Sequence, residues 1–189
     1  MLTVYLVRHG EVYNPQGIIY GHLPGYGLSE KGRQQLVRAA GLLEERGPFQ
    51  ALYASPLQRA QESAQILGDH LGLGLTTEQL IVETGVGGYQ GQPFSALPRP
   101  YITEEPLVPG IECASSIRAR FLEWAGVVLS RHAGGKVIAV THRDPIGVSL
   151  LHWMGKGLEE LPEFPIEPGG VYEVRLETAA GAAQVEALG

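Results

Sequence analysis

Three short stretches of this chain carry the residue types that handle a phosphoryl group. They are Arg8-His9-Gly10-Glu11, Ser55-Pro56-Leu57-Gln58-Arg59 and Thr141-His142-Arg143-Asp144-Pro145. Each follows a short apolar run that reads as a buried strand. An arginine fork donates parallel hydrogen bonds to an oxyanion and keeps its charge at any ordinary pH. At 4 Å, a unit charge pair is worth about 4 kcal/mol in a medium of effective dielectric near 20. Several guanidinium groups on one edge would therefore hold a phosphomonoester dianion. A neutral imidazole adds a nucleophile, provided one ring nitrogen is unprotonated and the other is held as a donor. The neighbouring Arg8 and a second cationic group favour that neutral form of His9. The leaving oxygen then needs an acid, and a carboxyl near the pocket is the natural source.

The elements that must position these groups follow from pattern. Leu2 to Val7, Ala51 to Ala54 and Val137 to Thr141 are apolar strand runs. Ser29 opens a helix whose Leu36, Ala39, Ala40 and Leu43 share a face, ending at Gly47-Pro48. Ser55 and Pro56 read as N-cap and first helical residue of a second helix with Ala60, Ala64 and Leu67 inward. Ile117, Phe121, Trp124 and Val128 mark a third helix. Asp144 and Pro145 repeat the cap-then-proline device before Ile146, Leu150 and Trp153. Leu80 to Val82 is weakly strand-like, and Val171 to Leu176 pairs with Gln184 to Leu188 across Gly181. Alternating strands and helices predict a three-layer α/β/α domain with a mostly parallel sheet. Ligands of such sheets bind beyond the carboxyl ends of the strands, which gathers the three stretches at one edge.

The 189 residues fit one domain, 1–189, with the Gly- and Pro-rich segment 85–110 as a lid or specificity region. Net charge is −6, and no basic stripe is present, which argues against a nucleic-acid partner. The expected partner is a small phosphorylated molecule. Cys113 is the single cysteine, so no intramolecular disulfide forms. Neither a signal peptide nor a membrane-length apolar run is visible, and a cytoplasmic location is expected. The histidines lack the spacing of a zinc site, and neither a metal nor a cofactor is implied.

Leu6-Val7-Arg8-His9-Gly10-Glu11 resembles the signature of the histidine phosphatase superfamily, the phosphoglycerate-mutase-like proteins. Gly21 to Gln34, Tyr53 to Ala64, Glu83 to Gly91, Pro109 to Glu112 and Val140 to His142 resemble further segments of that family, in family order. The resemblance implies a mixed sheet with one antiparallel strand near its edge. It also implies roles: His9 as nucleophile, Arg8 and Arg59 as phosphoryl ligands, His142 as a second histidine on the phosphoryl group, and Glu83 as proton donor. Asn14 is a further implied phosphate contact, although it lies five residues after the nucleophile where the family has six. The family commonly has glycine where this chain has Arg143, which either adds a third cation to the pocket or pairs with an acid such as Asp144. The implied reaction is metal-independent phosphomonoester hydrolysis through a phosphohistidine. The alternatives are a phosphoglycerate mutase, which the short chain disfavours, a ribazole-phosphate-type phosphatase, and a catalytically silent phosphate-binding domain.

Overall fold

The computed structural model describes residues 1–188. Six strands form one sheet: β1 (Leu2–Arg8), β2 (Ala51–Ala54), β3 (Leu75–Thr77), β4 (Lys136–Thr141), β5 (Val171–Leu176) and β6 (Gln184–Leu188). Their order is β3-β2-β4-β1-β5-β6. β3, β2, β4 and β1 are mutually parallel, and β5 runs antiparallel to both β1 and β6. The mixed sheet with a single reversed strand beside its edge is as the family resemblance implied.

Successive side chains of β1 point to opposite faces, and each face has its own core. Leu2, Val4 and Leu6 join Phe121, Trp124, Ile146, Leu150 and Trp153, which come from α3 (Ala114–Arg131) and α4 (Arg143–Trp153). Tyr5 and Val7 instead join Leu36, Ala39, Leu43, Ala60, Ala64 and Leu67 from α1 (Glu30–Glu44) and α2 (Gln58–Leu71). The sheet is thus covered on both sides, which is why its central strands are apolar runs without polar alternation.

Local chemistry sets the details. Ser29 caps α1 by accepting from the Gly32 amide at 3.0 Å. The other two expected caps are corrected. Leu57 caps α2 and His142 caps α4, and neither makes a side-chain cap bond. The Ser55 hydroxyl, two residues ahead of the Leu57 cap, accepts from the Leu57 amide at 3.4 Å and meets His142 at 2.7 Å. Leu80–Val82 is not a strand. The Glu78 carboxylate accepts from the Leu80 amide at 2.9 Å and winds residues 79–81 into a single 3₁₀ turn. The edge strand beyond β2 is β3, only three residues long, which is too short to show periodicity. Among the described residues no helix is long and apolar enough to cross a membrane.

Candidate active site

Register brings the two histidines together. Arg8 of β1 lies beside Thr141 of β4, so the residues that follow, His9 and His142, leave the sheet side by side. The His9 amide continues the ladder to the Thr141 carbonyl at 3.0 Å. The two rings end 5.0 Å apart between centroids, at 60°. Gly10 then passes so close to α1 that a Cβ there would collide with the Gly32 carbonyl and the Leu36 side chain. The glycine after His9 is therefore a packing requirement.

His9 is 2 % exposed and its tautomer follows from its contacts. Nδ1 lies 2.8 Å from the Gly10 carbonyl, which can only accept, so Nδ1 carries the proton. Nε2 keeps its lone pair, toward which the Arg59 Nε–H points at 3.3 Å. Burial, and then the charges of Arg59 and Arg8, hold the His9 imidazole well below its ordinary range. It is a neutral base at physiological pH, with the free nitrogen facing cations.

Arg59 comes from the first turn of α2 and is almost fully buried. Its Nη2 donates to the Gly21 carbonyl at 2.9 Å, and its guanidinium lies 4.7 Å over the Tyr20 ring. Arg8 is held by one bond from Nη1 to the Ile166 carbonyl at 2.6 Å, while its buried Nε has no protein partner.

His142 is fully buried and anchored through Nε2 to the Ser55 hydroxyl at 2.7 Å. Its Nδ1 has no hydrogen-bond partner and lies 3.8 Å from a Glu83 carboxylate oxygen. The Ser55 hydroxyl already accepts from the Leu57 amide at 3.4 Å, and donating its own proton to Nε2 makes Nδ1 the N–H of a neutral ring. Burial and the Arg59 charge lower the pKa of His142 strongly.

Glu83 follows the 3₁₀ turn. The Thr141 hydroxyl fixes that turn to β4 by donating to the Ile81 carbonyl at 2.6 Å. Arg120 grips it from outside through the Leu80 carbonyl, and the Glu112 carboxylate accepts from both Arg120 and the Gly85 amide. One Glu83 oxygen accepts from the Thr84 amide at 2.8 Å. Burial, and then the nearby Asp144 carboxylate, push Glu83 up to about 7. A carboxyl with that pKa is partly protonated at neutral pH and able to donate a proton.

The structure brings His9, Arg8, Arg59, Glu83 and His142 together. It does not bring in Asn14, whose amide closes its own loop onto Ile18 at 2.9 and 3.3 Å. Arg143 takes the second of the two arrangements open to it. Its guanidinium donates to Asp144 at 3.1 Å and to the Leu161 and Pro162 carbonyls. Two contributors are not evident from the sequence, Ser55 as anchor of His142 and Tyr20 beneath Arg59, while His22, in the loop after His9, meets the Glu83 carbonyl through Nε2 at 2.7 Å. For Ser55 the signal was present, since a hydroxyl at the end of β2 faces the end of β4.

His9, Glu83 and His142 place one ligand atom each within 4.8 Å of one another, the spacing of a metal site. The donor set argues against a cation, because an arginine N–H already points at the His9 nitrogen. The buried donors lacking a protein partner, Arg8 Nε, Thr84 Oγ1 and His142 Nδ1, call instead for an acceptor. The starts of α2 and α4, without side-chain caps, favour the same charge sign.

Fold and pocket together define an α/β protein that holds a neutral imidazole among arginines at the carboxyl edge of its parallel strands. The sequence profile described as "Histidine phosphatase superfamily (branch 1)" matches residues 4–188, and the chain belongs to that superfamily. The Mycobacterium tuberculosis protein Rv0525 is 36 % identical over 162 residues, covering 82 % of this chain and 80 % of that one. A 2,3-bisphosphoglycerate-dependent phosphoglycerate mutase of Thermoplasma acidophilum is 32 % identical over 185 residues, covering 94 % and 88 %. The fold is also that of the mycobacterial glucosyl-3-phosphoglycerate phosphatase, with a TM-score of 0.81, 21 % identity and coverage of 98 % and 96 %.

Proposed function

We propose that the protein hydrolyses phosphomonoesters in two steps through a phosphohistidine on His9. The observation that carries this reading is the His9 tautomer: Nδ1–H donates to the Gly10 carbonyl and leaves Nε2 unprotonated beside Arg59. In the first step the Nε2 lone pair attacks phosphorus. The ester P–O bond breaks, and Glu83 gives its proton to the departing oxygen, releasing an alcohol. Arg8, Arg59 and His142 Nδ1–H hold the phosphoryl oxygens while charge shifts onto them. The Gly10 carbonyl steadies the imidazole as it becomes cationic. In the second step Glu83, now a carboxylate, takes a proton from water. The water oxygen bonds to phosphorus, and the P–N bond breaks with its electron pair returning to Nε2. Inorganic phosphate leaves, and His9 and Glu83 are restored.

A mutase is the second reading. Chain length does not separate the two, since this chain matches 88 % of a relative named as a mutase. The test is release of inorganic phosphate from a panel of phosphomonoesters in EDTA, with wild type and His9→Ala, alongside interconversion of 3- and 2-phosphoglycerate. Metal-independent release that disappears in His9→Ala supports hydrolysis. Interconversion without release supports the mutase, and release unaffected by His9→Ala overturns the role of His9.

A further inference from the structure

On the far side of Arg143, the residue after His142, lies a concavity of about 1020 Å³, walled by Phe94, Leu97, Tyr101, Leu107, Leu158 and Pro162. Ile102 and Leu161, which also border it, belong to an apolar cluster between the 94–107 segment and α4. Phe94 and Leu107 stay 52 % and 75 % exposed. A single exposed apolar side chain is ordinary, but two on the wall of one cavity make a binding surface.

Two series of contacts join this cavity to the reacting centre. One is aromatic: Arg59 lies over Tyr20 at 4.7 Å, and Tyr20 meets Phe94 edge-on at 6.5 Å. The other is polar: the Tyr101 hydroxyl donates to Asp144 at 2.7 Å, and Arg143, the residue after His142, donates to the other oxygen of the same carboxylate. Of the charged groups along the cavity, Arg143 is paired with Asp144 and Glu104 with Arg118, while Arg99, Glu159 and Glu163 are exposed to solvent.

We infer that this cavity receives the alcohol portion of the substrate, and that the substrate is the phosphomonoester of a bulky, mainly apolar alcohol. The inference rests on the phosphatase reading for its reaction and on the cavity for its specificity. Apolar ligand sites run to about 300–1,000 Å³. A small polar alcohol such as serine or glyceric acid would leave these walls wet. With the phosphoryl group on Arg8, Arg59 and His142, the ester oxygen faces Glu83, and the alcohol extends past Tyr20 and Phe94 into the cavity. The segment within 85–110 then selects substrate by apolar contact.

The test uses n-alkylphosphonates from ethyl to hexyl, whose P–C bond resists hydrolysis and whose head group is constant. Titration calorimetry should show Kd falling about fourfold per added methylene, roughly 200-fold across the series. Phe94→Asp and Leu107→Asp, both at exposed positions, should flatten that slope. In parallel, kcat/KM should favour hexyl over ethyl phosphate, whose leaving groups are of similar basicity. Equal affinity for ethyl- and hexylphosphonate overturns the inference whether or not the protein hydrolyses anything. So does tighter binding of phosphoserine than of hexylphosphonate. A chain-length trend in binding with no turnover of any ester rejects the phosphatase reading and keeps the apolar site.

Discussion

Replacing Glu83 with glutamine separates proton donation from the rest of the site. The carboxyl is held at about 7 by burial and by Asp144. It is therefore about nine-tenths protonated at pH 6 and about one-tenth at pH 8, so a reaction that needs its proton slows about tenfold between them. His9 adds no limb in that window, since its imidazole is already neutral well below 6.5. For an alkyl phosphate, whose alcohol leaves poorly without a proton, Glu83→Gln should lower kcat about 10²- to 10⁴-fold and abolish the alkaline limb. For p-nitrophenyl phosphate, whose leaving group departs as a stable anion, the first step should slow by less than about tenfold. The assay is a pH profile of kcat/KM for both esters, with wild type and variant. Equal losses on the two esters, or an alkaline limb that persists in Glu83→Gln, would refute the assignment of the proton to Glu83.

The same substitution should stabilise the fold at alkaline pH. Unfolded, Glu83 ionises near 4.5, and folded near 7, so the native state binds the extra proton in between and loses stability as pH rises through that window. The loss is about 3 kcal/mol by pH 8, and thermal melts there should place Glu83→Gln above wild type while the two converge near pH 4. Arg59→Lys keeps the charge but loses the Nε–H toward His9 and the stacked plane over Tyr20; kcat/KM should fall about 10- to 100-fold. Ser55→Ala strips His142 Nε2 of its buried partner and should cost about 1–3 kcal/mol in urea unfolding, together with a lower kcat.

Much of this site is legible in the sequence, for a reason visible in particular residues. His9, Arg59 and His142 each follow a strand at the carboxyl edge of a parallel sheet, and apolar runs reveal such strands. Topology alone then delivers the side chains to one place. Asn14 and Arg143 show where that logic stops. Both sit beside the site in sequence, yet their polar groups are captured by local partners, Ile18 and Asp144, which spacing does not foretell. Ser29 caps α1 as its position predicts, but Ser55 does not cap α2. It has the residue type of an N-cap, but the helix begins three residues later, and its hydroxyl serves the Leu57 amide and the buried His142 ring instead. The cavity along 94–107 is formed by irregular backbone without period, so its apolar character emerges only when the segment is folded over α4.

The central claim is a covalent bond between phosphorus and His9 Nε2. The direct measurement is rapid acid-free quench of enzyme mixed with a phosphate-labelled ester, followed by peptide mapping of the label. Label is expected on the peptide containing His9, stable in base and lost in acid, and absent from His9→Ala. Steady turnover with no label on His9, under conditions where the second step is slowed in Glu83→Gln, would contradict it.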